Sequence, residues 1–124
     1  MTQTNNPTID AKELAVAETA AEKEIKGVYV HTFKEPFVYE EKTYEKLVFD
    51  WGSLTGEDAL RIEHELASQG INVIAPEFSG DYLIRMAVRA CSENIGADVL
   101  SAIPLWDFNR IRNKARSFLL NAGR

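Results

Sequence analysis

The chain has 124 residues, 45% apolar, 27% charged and 10% aromatic, the balance of one globular domain with room for a single core. No window approaches the roughly 18 to 20 uninterrupted apolar residues of a membrane span, and the polar, acidic start MTQTNNPTIDAKEL is not a secretory signal. One cysteine, Cys91, forms no internal disulfide and fits a reducing compartment, while a net charge of −5 and a pI near 5.0 argue against nucleic acid as the main partner.

That charge is unevenly spread. Residues 104–124 carry Arg110, Arg112, Lys114, Arg116 and Arg124 against Asp107, so the last stretch is basic and the body before it strongly acidic.

In chain order, residues 1–26 read as a flexible or peripheral helical N-terminal extension. A polar TQTNNPT opening precedes an Ala/Glu/Lys-rich stretch with Asp10 as N-cap, Glu13 completing a capping box and Gly27 as stop. Residues 27–124 form one α+β domain. Its opening is β-rich, with short strands expected at Val28–Val30 and Phe37–Tyr39, the second preceded by Pro36. A tight turn at Glu40-Glu41-Lys42 leads into a strand over 43–51, giving a hairpin at about 36–51. Alternation in the last strand puts Thr43, Glu45, Leu47, Phe49 and Trp51 on the face with the larger apolar residues, the expected buried side.

The rest reads as a small bundle of three to four helices. Thr55 and Asp58 form a capping box for a helix ended by Gly70, and Ile71–Ala75 is an apolar link closed by Pro76. Ser79 or Asp81 then opens a helix running to about Ile95 and ended by Gly96. Its polar residues Asp81, Arg85, Arg89, Ser92 and Glu93 fall on one stripe, which predicts a central helix buried on most sides. A short helical turn over Asp98–Ile103 precedes Pro104. The final helix, about Leu105–Leu120, places Phe108, Ile111, Ala115, Phe118 and Leu119 on one face and Arg112 with Arg116 on another.

No catalytic template emerges. His31 and His64 lie far apart, no HExxH or paired cysteines are present, and both histidines are expected to be solvated or capped rather than metal ligands. Cys91 sits in the apolar arc of the central helix, the position of a small buried hydrophobe rather than an activated nucleophile. The pairs Glu40/Glu41, Glu57/Asp58 and Glu63/Glu65 lack the facing pattern of di-metal bundles, and the seven glycines form no phosphate-binding loop. The sequence therefore points to a non-enzymatic protein with no cofactor and no metal. The basic face of the last helix is either a docking surface for an acidic partner or cations placed toward a helix C-terminus. Trp51 and Trp106 are core or interface residues, with the core the simpler reading for both.

Three segments together resemble the tail assembly chaperones of long-tailed bacteriophages and prophages, over about residues 33–121: the hairpin with aromatic exit KTYEKLVFDWGSLTGED, the alanine-rich YLIRMAVRAC helix, and the ADVLSAIPLWDF turn followed by a helix ending RSFLL. The resemblance implies a helper that binds the tape-measure protein and the major tail-tube protein during tail morphogenesis. It would work in the bacterial host cytoplasm and be absent from the mature virion. A hydrophobic groove taking an amphipathic helix suits that role, as does an acidic, soluble body. The partner surface is expected at Arg112, Arg116, Phe118, Leu119 and Leu120, and a homo-oligomer is compatible with the sequence. The alternatives are a structural tail or neck component retained in the virion, or a small intracellular adaptor.

Overall fold

A computed structural model describes residues 27–121. The extension expected over 1–26 lies outside the described residues, as do 122–124. The fold is α+β: an antiparallel hairpin followed by four helices. Strand β1 is Val28–Tyr39 and β2 is Lys42–Asp50; the helices are α1 (Gly56–Ser68), α2 (Gly80–Ala90), α3 (Ala97–Ala102) and α4 (Leu105–Asn121). Short 3-10 turns at Trp51–Ser53 and Pro76–Phe78 connect them.

The hairpin is longer than expected. Pro36 does not divide two short strands; it lies in a β-bulge within a single 12-residue β1. Val28 to Thr32 pair with Asp50 to Lys46, and pairing resumes at Phe37 opposite Tyr44, so residues 33–36 face Glu45 alone. A proline cannot donate to the ladder, and a bulge is where a strand tolerates one. The bulge also revises the inner face. Cross-strand partners share a face, so Tyr44 follows Phe37 inward and is buried, whereas Thr43 and Glu45 are exposed. The expected face holds only from Leu47 onward, and Trp51 lies in the 3-10 turn beyond the strand.

At the hairpin tip Glu40 and Glu41 both have positive φ, +48° and +68°. That pair is the signature of a type I′ turn, which suits the strand twist but favours Asn-Gly over two residues with full side chains. Glu40→Asn/Glu41→Gly is therefore expected to raise stability by about 1 kcal/mol, seen as a higher urea midpoint at unchanged slope.

The inner face of the hairpin carries a chain of aromatic rings. Trp51 stacks on Phe49 at 5.2 Å between centroids, Phe49 on Tyr29 at 6.3 Å, and Tyr29 neighbours His31 at 5.9 Å. His31 meets Phe33 edge-on at 5.0 Å, and Phe33 continues to Phe37, Tyr39 and Tyr44. The helices pack over this ladder.

Helix α1 has the expected capping box. The Thr55 amide donates to Asp58 Oδ2 at 2.8 Å, and Thr55 Oγ1 accepts from the Asp58 amide at 3.4 Å. It ends in a Schellman motif: Gly70 adopts φ +76°, its amide bonds to the Ala67 carbonyl, and the Ile71 amide bonds to that of Leu66. Helix α2 starts at Ser79, whose hydroxyl accepts from the Tyr82 amide, and buries Tyr82, Leu83, Ile84, Met86, Ala87 and Ala90 as a central helix should.

Helix α2 stops at Ala90, short of the expected Ile95. Cys91 turns extended and pairs with Phe49, and the Ser92 amide donates to the Val48 carbonyl at 2.8 Å. A tertiary contact with the outer edge of β2 thus ends the helix ahead of the local glycine signal. Helix α4 has the expected extent and buries Ile111 and Ala115 completely. Of the two tryptophans, Trp51 is core and Trp106 is not: the residue is 58% exposed on the first turn of α4.

Candidate functional site

Two-residue alternation along β1 sets Tyr29 and His31 side by side on the inner face, and the first turn of α4 brings Asp107 against them. The Tyr29 hydroxyl lies 2.8 Å from His31 Nδ1, and His31 Nε2 lies 2.7 Å from Asp107 Oδ1. His31 is 1% exposed and Asp107 5%, the two polar residues of the described core. A carboxylate only accepts, so Nε2–H donates to Asp107, and Nδ1 accepts from the Tyr29 O–H.

Burial pushes the His31 pKa below its ordinary 6.5, more than the hydrogen bond and charge of Asp107 raise it, and Arg110 adds to the lowering. His31 is neutral at pH 7 in this setting. Around the relay stand the Lys114 ammonium, 5.4 Å from the Tyr29 ring centroid, and Phe33. Asp107 also places a carboxylate in the first turn of α4, where the helix dipole favours it.

Tyr, His and Asp in this order have the connectivity of a proton relay, but it is closed to solvent. It joins β1 to α4 across 76 positions of sequence. The expectation that His31 is solvated or capped is thus corrected: it is a buried, doubly hydrogen-bonded core residue, whereas His64 is exposed as expected. Alternation of Tyr29, His31 and Phe33 along a strand was the available sequence signal; the partner at Asp107 had none.

The expected partner residues all lie on α4, and the fold already engages several of them. Arg116 Nε donates to the Glu77 carbonyl at 2.8 Å and Nη1 to Asn113 Oδ1 at 3.1 Å, which draws the side chain onto the 3-10 turn at Pro76–Phe78. Arg112 donates from Nη2 to Asn109 Oδ1 at 3.0 Å, and its guanidinium lies 5.6 Å from the Phe108 ring centroid. Both arginines are half-buried, and the Arg112 Nε is buried with no hydrogen-bond partner among the described residues. Phe118 and Leu119 pack against the core, with Phe118 close to Gly27 at the hairpin base, and Leu120 is exposed.

Other candidates resolve as follows. Cys91 is half-buried, and burial pushes its thiol above the ordinary range, the opposite of an activated nucleophile. No group of three or more His, Cys, Asp or Glu side chains among the described residues is arranged to hold a metal ion. No helix among them is long and apolar enough to cross a membrane.

A groove of about 420 Å³ lies between α2, α3 and α4, lined by Asp81, Arg85, Asp98 and Ser101 together with Ile84 and Phe108. It is mixed and polar, not the apolar trough suited to an amphipathic helix. Apolar exposure is found elsewhere, at Leu105 and Trp106 where α4 begins and at Ile74 and Phe78 around the second 3-10 turn. Lys34, from the β1 bulge, holds its ammonium 4.9 Å from the Trp106 ring centroid. No family model, no curated protein and no solved structure matches this chain.

Proposed function

We propose that the chain is a tail assembly chaperone of a long-tailed phage or prophage, a non-enzymatic protein that binds the tape-measure protein and tail-tube subunits in the bacterial cytoplasm and is left out of the finished virion. The resemblance over residues 33–121 is the source of this reading. The observation that carries it furthest is the exposure of large apolar side chains on an acidic chain: Leu105 and Trp106 at one corner, Ile74 and Phe78 at another. A protein that keeps apolar helical segments in solution needs such surface together with a net charge that prevents self-association. The sealed Tyr29–His31–Asp107 relay supports a structural rather than a catalytic use of the core polar residues.

Partner contact through Arg112 and Arg116 requires these side chains to leave their bonds to Asn109, Asn113 and Glu77. The exposed aromatic corner carries no such cost. In a pull-down with the tape-measure protein, Leu105→Asp/Trp106→Asp is expected to weaken capture by roughly tenfold or more, the scale of losing an aromatic anchor. Arg112→Glu/Arg116→Glu tests the arginine face separately, since full binding by that variant removes it from the partner surface.

A further inference from the structure

Resting on the partner-binding role given above to the Leu105–Trp106 corner, we propose that this corner takes one class of segment: an amphipathic helix whose polar flank is acidic.

Two elements build the corner. The first turn of α4 holds Leu105 and Trp106 at the surface, 70% and 58% exposed. The β1 bulge passes beside them and sets the ammonium of the exposed Lys34 4.9 Å from the Trp106 ring centroid. An indole held on one side by a cation keeps its orientation, so less freedom is lost when a partner covers it. Two adjoining large apolar side chains on a helix end suit the apolar stripe of a docking helix.

Charge selects the segment. Trp106, Arg110 and Lys114 follow one another at four-residue spacing, which stacks side chains along one helical face. Arg110 is exposed, and its charge acts on His31 of β1, so this face looks toward the strand that carries Lys34. Lys114 lies farther along the same seam, 5.4 Å from the Tyr29 ring centroid. Lys34, Arg110 and Lys114 therefore border the corner on one side. Of the acids nearby, Asp107 is buried against His31, while Glu35 and Glu45 are exposed at the bulge. The chain as a whole carries −5. An acidic segment is thus repelled by most of the molecule and attracted here, and a basic segment has the reverse preference. Complementarity of this kind governs approach and register more than affinity. It also moves the acidic-partner surface from Arg112 and Arg116, which are held by Asn109, Asn113 and the Glu77 carbonyl, to Lys34 and Arg110.

Trp51 is buried and Trp106 exposed, so fluorescence of the full chain reports on the corner. The charge there is read by quenching with iodide and with caesium, each scaled to N-acetyltryptophanamide. Iodide is expected to be the better quencher by roughly twofold, and Lys34→Glu/Arg110→Glu should reverse the order. Docking is read with two synthetic helical peptides that share a leucine stripe, one with glutamate and one with lysine on the polar face. The glutamate peptide should shift Trp106 emission to shorter wavelength and bind about tenfold more tightly than the lysine peptide at low salt, a gap that closes at high salt. Lys34→Glu/Arg110→Glu should erase that preference, and both substitutions lie on exposed side chains.

Caesium quenching equal to iodide in the wild type, no saturable binding of the glutamate peptide, or equal binding of the lysine peptide overturns the proposal. Self-association of the chain that Leu105→Asp/Trp106→Asp abolishes would assign the corner to a second copy and overturn it as well. None of these results touches the chaperone reading, which stands or falls on capture of the tape-measure protein. Failed capture beside a bound glutamate peptide would remove that reading and leave the charge preference in place.

Discussion

Phe49→Ala is expected to destabilise the protein by about 3–5 kcal/mol, the range for removing a large aromatic side chain from a packed core. Phe49 is fully buried, stacks between Trp51 and Tyr29, and sits on the strand residue that pairs with Cys91 where α2 ends. Its loss opens a cavity at the junction of hairpin, 3-10 turn and central helix, where neighbours held by three elements collapse poorly. A domain of this size has roughly 5–15 kcal/mol in total, so the variant should unfold at far lower urea than the wild type. Trp106→Ala is the matched control: an exposed aromatic of larger size whose removal should stay within about 0.5 kcal/mol.

The second large effect belongs to the buried relay. Asp107→Ala leaves the His31 Nε2–H without an acceptor in a site closed to water, and an orphaned buried donor costs about 1–3 kcal/mol. Asp107→Asn should cost clearly less, because the amide oxygen can occupy the same position and accept the same hydrogen bond. His31→Phe/Asp107→Leu should recover most of the loss, since replacing both partners with apolar groups leaves neither one orphaned. Urea unfolding of the wild type, His31→Phe, Asp107→Leu and the double variant gives the coupling as a double-mutant cycle. A strongly favourable coupling identifies the relay as the fastening between hairpin and last helix, while additive losses would identify two unrelated core positions.

These effects also mark the boundary of what the sequence could reveal. Features governed by neighbours a few positions apart were legible: the Thr55–Asp58 capping box, the Gly70 stop, the mostly buried circumference of α2 and the extent of α4. Features decided by distant partners were not. Pro36 suggested a break between two strands, but pairing with β2 on both sides carries the chain through as a bulge. Gly96 suggested the end of the central helix, but contact of Cys91 and Ser92 with the edge of β2 ends it earlier.

The candidate site divides in the same way. The basic face of α4 was visible from helical spacing, but not that Asn109, Asn113 and the Glu77 carbonyl occupy its arginines. His31 offered only its place in an aromatic strand. Trp106 was read inward because large aromatics usually are, whereas its position in the first turn of α4 turns it outward under Lys34.

Co-expression with the tape-measure protein of the same tail gene cluster, followed by separation of soluble and pelleted fractions, bears on the chaperone reading with the fewest intermediate assumptions. If the chain is a tail assembly chaperone, the tape-measure protein moves from the pellet to the soluble fraction and co-purifies with it. A tape-measure protein that pellets equally with and without the chain, and never co-purifies with it, would contradict the proposed function.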